Sequence, residues 1–93
     1  MTSFAYESIN DVIKAGFDIL HENQGNAREE QHKIWFDYSS KTLERLSRSN
    51  WMDPSIEMNY LRLATKLIGN NMTPSQKISA CLNYLIEVLP YVS

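Results

Sequence analysis

The chain has 93 residues, of which 43% are hydrophobic and 22% are charged, and its formal net charge is -2. A chain of this length buries only about 60–65% of its unfolded surface, which allows one hydrophobic core and excludes two. The near balance of acidic and basic residues gives no indication of a nucleic-acid or membrane partner.

The first predicted element is a helix over residues 3–22, with Thr2 or Ser3 as its cap. Apolar residues recur three and four positions apart along one face, and Gly16 lies near the centre of that face. A glycine inside a helix costs about 1 kcal/mol relative to alanine. We therefore expect the backbone of a neighbouring helix to approach closely at Gly16. Turn-forming residues at 23–26 end this helix.

The second predicted helix covers residues 27–49, a stretch without glycine or proline. Four residues form its core face: Trp35, Ser39, Leu43 and Leu46. Opposite charges four positions apart predict three ion pairs on its exposed side, which are Glu29 with Lys33, Asp37 with Lys41, and Glu44 with Arg48. Trp51 follows in a short turn, where we expect it to cover the end of the core.

Two further helices are predicted over residues 54–69 and 74–89. Asp53 and Pro54 are typical of a helix start, and so is the combination of Thr73, Pro74 and Gln76, which predicts a capping box. The third helix carries a main apolar stripe that we interpret as widened by two more core residues, Leu61 and Ile68. Because the connections are short, the predicted fold is all-α: a mostly antiparallel bundle of four helices in one domain, residues 1–93.

Residues able to carry chemistry do not form a recognisable catalytic, metal or cofactor motif. His21, His32 and Cys81 lack the spacing of metal ligands. Arg28 and His32 are separated by three residues, closer than in the arginine–histidine pattern of small helical ribonuclease toxins. We therefore expect no catalytic residue, no metal, no cofactor and no enzymatic activity.

Localisation is predicted from the cysteine content and from the first residues. A single thiol, Cys81, cannot form an internal disulfide, which favours a reducing compartment. The first residues lack the basic start and apolar run of a signal peptide, and no window approaches the ~18 apolar residues of a membrane span. We expect a cytoplasmic protein with no membrane partner.

The candidate binding site is a strip on the second helix. Ile34 lies roughly 140° from the centre of the core face and Tyr38 roughly 100° from it, one turn apart. Asp37, Lys41 and Arg45 flank this pair. An apolar pair among charges is typical of a protein interface, where tyrosine and arginine are enriched. The alternative is that the strip forms a second core face of a long helix.

The favoured function is a non-enzymatic protein-interaction module that binds another protein, or a second copy of itself, through the Ile34/Tyr38 strip. In length and helix number the chain resembles small four-helix proteins of bacteria and their phages, including bacteriocin immunity proteins. The small size, the lack of a catalytic motif and the spare apolar strip favour an inhibitor, adaptor or immunity-type role.

A nucleic-acid-associated regulator is the alternative function, and a small enzyme is less favoured. The regulator would use basic residues of the second and third helices, although acidic residues interleave with them. These basic residues are Lys41, Arg45, Arg48, Arg62 and Lys66.

Overall fold

The computed structural model describes residues 6–69 and 71–92, and within this part it contains helices and no strands. The four α-helices are α1 (Ile9–Glu22), α2 (Glu29–Arg48), α3 (Pro54–Ile68) and α4 (Pro74–Val88). A short 3-10 turn, Leu89–Tyr91, follows α4. The helices pack on one another as a four-helix bundle, as the sequence predicted. In the described ranges, none of the helices has the length and apolar character needed to cross a membrane.

The first helix begins later than predicted. It starts at Ile9, where the Ser8 hydroxyl accepts a hydrogen bond from the amide of Asp11. Tyr6, two residues before Ser8, is not helical. Its amide donates to Thr42 Oγ1 and its carbonyl accepts from Arg45, and both of these partners are on α2. The predicted caps Thr2 and Ser3 lie outside the described residues.

The ends of the first two helices and the start of the fourth follow the predicted turn and cap chemistry. Gln24 and Asn50 adopt left-handed conformations, with φ of 51° and 61°, directly after the C-terminal caps of α1 and α2. At α4 the Gln76 amide donates to Thr73 Oγ1 at 3.2 Å, and the Thr73 amide donates to Gln76 Oε1 at 2.9 Å. This reciprocal pair confirms the predicted capping box.

Hydrogen bonds between helices show their relative directions. The Tyr84 hydroxyl, late in α4, donates to the carbonyl of Ile56 at the start of α3. The amide of Ala27 donates to Ser75 Oγ at 2.8 Å, so α2 and α4 begin at the same end of the bundle. Helix α3 therefore runs antiparallel to both. Helices α1 and α3 each pack against α2 and α4, which also contact one another.

Gly16 lies at a close contact of α1 with α2 and α4. A Cβ atom at this position would lie 2.7 Å from Leu82 Cδ2 and 3.0 Å from Trp35 Cζ2. The packing at Gly16 is therefore close, but the prediction that a helix backbone approaches there is wrong, because the neighbours are side chains of α4 and α2. The Trp35 indole also donates a hydrogen bond of 3.0 Å to the carbonyl of Val12, which fixes the ring against α1.

The prediction that Trp51 covers the end of the core is wrong. Its amide closes the C-terminal turn of α2 by donating to the carbonyl of Leu46 at 2.9 Å, and its side chain is 54% exposed. The next residue, Met52, is only 4% exposed and takes the core position. Asn50, directly before Trp51, has a left-handed backbone conformation. Residue type alone does not reveal that the chain turns there so that Met52, and not Trp51, enters the core.

Replacing Gly16 by leucine tests the contact with α2 and α4. We expect Gly16→Leu to lower the free energy of unfolding by about 1–3 kcal/mol through overpacking. The cost should shrink in a Leu82→Ala background, where the missing side chain leaves room. Urea unfolding of the two single variants and the double variant measures this coupling, and additive losses would contradict the contact.

Candidate functional site

An apolar groove with a volume of about 420 Å³ lies between α2 and α3 and is called here the α2–α3 groove. Its walls come mainly from α2 and α3, with one lysine from α4. Its lining residues are Glu29, His32, Lys33, Phe36, Asp37, Ser40, Leu61, Ile68 and Lys77.

The α3 wall of the groove belongs to a second apolar face of that helix. Met58, Leu61, Thr65 and Ile68 recur at intervals of three, four and three residues, and we call this line the outer stripe. Exposure is 55% for Met58, 42% for Leu61 and 78% for Ile68. The Thr65 hydroxyl donates to the Leu61 carbonyl at 3.0 Å, so its polar group is already satisfied within the helix.

The outer stripe is a feature that sequence reasoning missed. Leu61 and Ile68 were predicted to widen the core stripe of α3, and the structure places both on the outside. The core side of α3 is occupied instead by Ile56, Tyr60 and Leu67, which are all buried. A sequence signal could have separated the core face of α3 from its outer face. Leu61 and Ile68 share a heptad-like spacing with Met58 and Thr65, and not with the core residues Ile56, Tyr60 and Leu67.

A row of four aromatic rings connects the groove to the core. Ring centroids are 6.2 Å apart for His32 and Phe36, 5.2 Å for Phe36 and Tyr60, and 6.1 Å for Tyr60 and Tyr84. The Tyr60 hydroxyl lies 2.8 Å from Ser39 Oγ in the buried interior. The buried Tyr60 ring, whose hydroxyl has a hydrogen-bond partner, therefore supports Phe36 from the core side of the groove.

Several charged side chains at the rim of the groove form ion pairs. Lys41 lies 3.0 Å from Asp37, as predicted. Glu29 lies 3.5 Å from Lys77 of α4, and the predicted pair of Glu29 with Lys33 is not among the ion pairs of the described residues. The exposed Asp37–Lys41 pair contributes little to stability, and both pairs place charges beside the apolar groove.

Two buried polar atoms at the groove have no hydrogen-bond partner among the described residues. They are His32 Nδ1 and Ser40 Oγ. The Nδ1 atom is 3.7 Å from Glu29 Oε1, which is too long for a hydrogen bond. Burial lowers the pKa of His32 below its ordinary value, against the opposing effect of the Glu29 carboxylate. We therefore expect a neutral imidazole beside Phe36 at pH 7.

The structure divides the predicted Ile34/Tyr38 strip. Ile34 is 49% exposed, whereas Tyr38 is partly buried, with its ring 6.1 Å from the ring of Tyr6 in an edge-on contact. The Arg45 guanidinium donates to the carbonyls of Tyr6 and Glu7 at 2.5 and 2.7 Å. Tyr38 and Arg45 thus hold the segment that precedes α1, and Ile34 remains available at the surface.

Each cation in the second half of α2 has a partner. Lys41 pairs with Asp37, and Arg48 lies 2.9 Å from Glu44 in the predicted ion pair. Arg45 is engaged by backbone carbonyls, as described above. Carboxylates therefore compensate the charges of Lys41 and Arg48, whereas the carbonyls that hold Arg45 leave its positive charge in place.

The described residues contain no group of three or more histidine, cysteine or acidic side chains close enough to hold a metal ion. Cys81 is a buried free thiol, and burial raises its pKa to about 11, so the thiol is protonated at neutral pH. No significant match was found to a protein-family model, a curated protein or a solved structure.

Substitutions in the strip distinguish exposed from packed positions. Ile34→Asp should change the free energy of unfolding by less than about 0.5 kcal/mol, because the side chain is half exposed. Tyr38→Asp should cost about 1 kcal/mol through loss of the ring contact with Tyr6. Chemical denaturation of both variants checks this, and equal losses would contradict the division of the strip.

The depressed pKa of His32 predicts a stability change with pH. As pH falls through the ordinary value of 6.5, the unfolded chain takes up the proton first, so the free energy of unfolding decreases. The decrease should end at the lower pKa of the folded state. A titration of the His32 ring by NMR measures that pKa directly, and a midpoint at or above 6.5 would contradict the burial argument.

The matched variant for this titration is His32→Gln. It should lose the part of the pH dependence between the two pKa values, while the carboxylate contribution at lower pH remains.

Proposed function

We propose that this protein is a non-enzymatic, cytosolic protein-binding module that receives an amphipathic helix of its partner along α3 and the α2–α3 groove. The observation that carries the proposal is the outer stripe, in which Met58, Leu61 and Ile68 are exposed in line on one helix face. Contiguous exposed apolar groups with a charged rim are typical of protein-binding surfaces.

The shape of the surface favours a helical partner. The groove runs between two neighbouring helices, and such grooves accept apolar side chains that repeat every three and four residues. Phe36 and Leu61 supply apolar walls, while the Asp37–Lys41 pair supplies a polar edge. We expect the partner helix to carry large apolar residues on one face and charges beside them.

The role that fits such a module is that of an inhibitor, adaptor or immunity-type factor of a bacterium or phage. A single thiol, buried at Cys81, is consistent with a reducing cytosolic location. The nucleic-acid alternative is less well supported, because three of its five basic residues, Lys41, Arg45 and Arg48, are engaged within the chain. That alternative is kept as an outcome of the experiment below.

A pull-down from lysate of the native host, with a tagged bait and with nuclease treatment, tests the proposal. We expect a protein that is retained by the wild type and lost with the Leu61→Asp/Ile68→Asp double variant. The matched control is Ile34→Asp, at a half-exposed isoleucine on α2 outside the groove, which should retain the partner. Circular dichroism melts of each bait verify that the fold is kept.

Other outcomes would change the assignment. Loss of the partner with Ile34→Asp alone would move the site to the strip on α2. Nucleic acid that disappears with nuclease or moderate salt would favour the regulator.

A further inference from the structure

The sequence of α3 identifies a partner for its own outer stripe. We infer that two copies of the chain associate by packing their α3 helices in parallel, outer stripe against outer stripe. The inference rests on the proposed function, because it assigns an occupant to the same apolar surface. Three features of α3 support it: the spacing of the stripe, the charges beside it and the fact that no described residue forms an ion pair with those charges.

The spacing of the stripe is that of a coiled-coil seam. With Met58 and Thr65 at a positions, Leu61 and Ile68 fall at d positions of consecutive heptads. Both d positions are large and aliphatic, and their exposure leaves them free to pack across a twofold axis. Thr65 is acceptable within the seam because its hydroxyl already donates to the Leu61 carbonyl.

The flanking charges specify the direction of the pair. In this register Glu57 occupies a g position and Arg62 the e position about five residues further on. In a parallel pair each Glu57 faces Arg62 of the partner subunit, and the twofold axis generates this ion pair twice. An antiparallel pair places g positions together, so that Glu57 would face Ala64 or another Glu57 and gain no cation.

Glu57 and Arg62 are available for this pairing. The ion pairs among the described residues lie within α2 or join α2 to α4, and none of them includes Glu57 or Arg62. Arg62 is exposed and Glu57 is partly exposed. The seam spans fewer than two heptads. We expect it to bury less than the ~1,200 Å² of a stable interface, and therefore to give a weak dimer that forms with increasing concentration.

Charge reversal tests the pairing by sedimentation over a concentration series at low salt. Glu57→Arg and Arg62→Glu should each raise the dissociation constant of the dimer about tenfold, because attraction becomes repulsion at two symmetric sites. The double variant Glu57→Arg/Arg62→Glu should restore the wild-type value. Lys66→Glu is the matched control, since it makes the same charge change on α3 at a position outside the seam.

A crosslink tests the direction independently. Met58→Cys places two thiols opposite each other only in the parallel pair, so oxidation should yield a covalent dimer, whereas the native thiol Cys81 is buried. A chain that stays monomeric at all concentrations overturns the inference, and so does a dimer unaffected by either charge reversal. If a different protein is still captured through Leu61 and Ile68, the proposed function survives and only self-pairing fails.

Discussion

The packing of Trp35 against Gly16 is the contact on which the arrangement of the other helices depends. The indole of α2 reaches α1 at the one position where a side chain is absent, and Leu82 of α4 meets it there. The hydrogen bond from the indole to the Val12 carbonyl then fixes the rotation of α2 about its axis. Once the rotation of α2 is fixed, the direction in which each of its other side chains points is fixed as well.

That rotation directs Phe36 toward α3 and places Ile34 at the surface. Phe36 stacks on Tyr60, whose hydroxyl is satisfied by Ser39, so a packed core residue lies behind the groove. Because α2 and α4 occupy the centre of the bundle and α3 lies on its flank, α3 is covered on one side only. The outer stripe therefore lies on the face of α3 that the bundle leaves uncovered.

The helices and the close packing at Gly16 could be predicted because both follow from local rules, namely apolar periodicity, capping residues and the cost of glycine within a helix. The start of α1 could not, since Tyr6 is drawn out of the helix by bonds to residues far along the chain. Leu61 and Ile68 were misassigned for a related reason. Periodicity gives the angle between side chains, but the core depends on which neighbours are within reach.

The same distinction explains why function was harder to predict than fold. The polar groups that the interior requires are used inside the bundle: Ser75 caps a loop amide, Thr42 binds the Tyr6 amide and Ser39 binds Tyr60. What remains at the surface is an apolar stripe with charges beside it, and its meaning depends on a second molecule. The outer stripe has the spacing of a coiled-coil seam, and Glu57 and Arg62 beside it are complementary to the same residues of a second copy. A second copy of the chain therefore supplies everything that this interface requires.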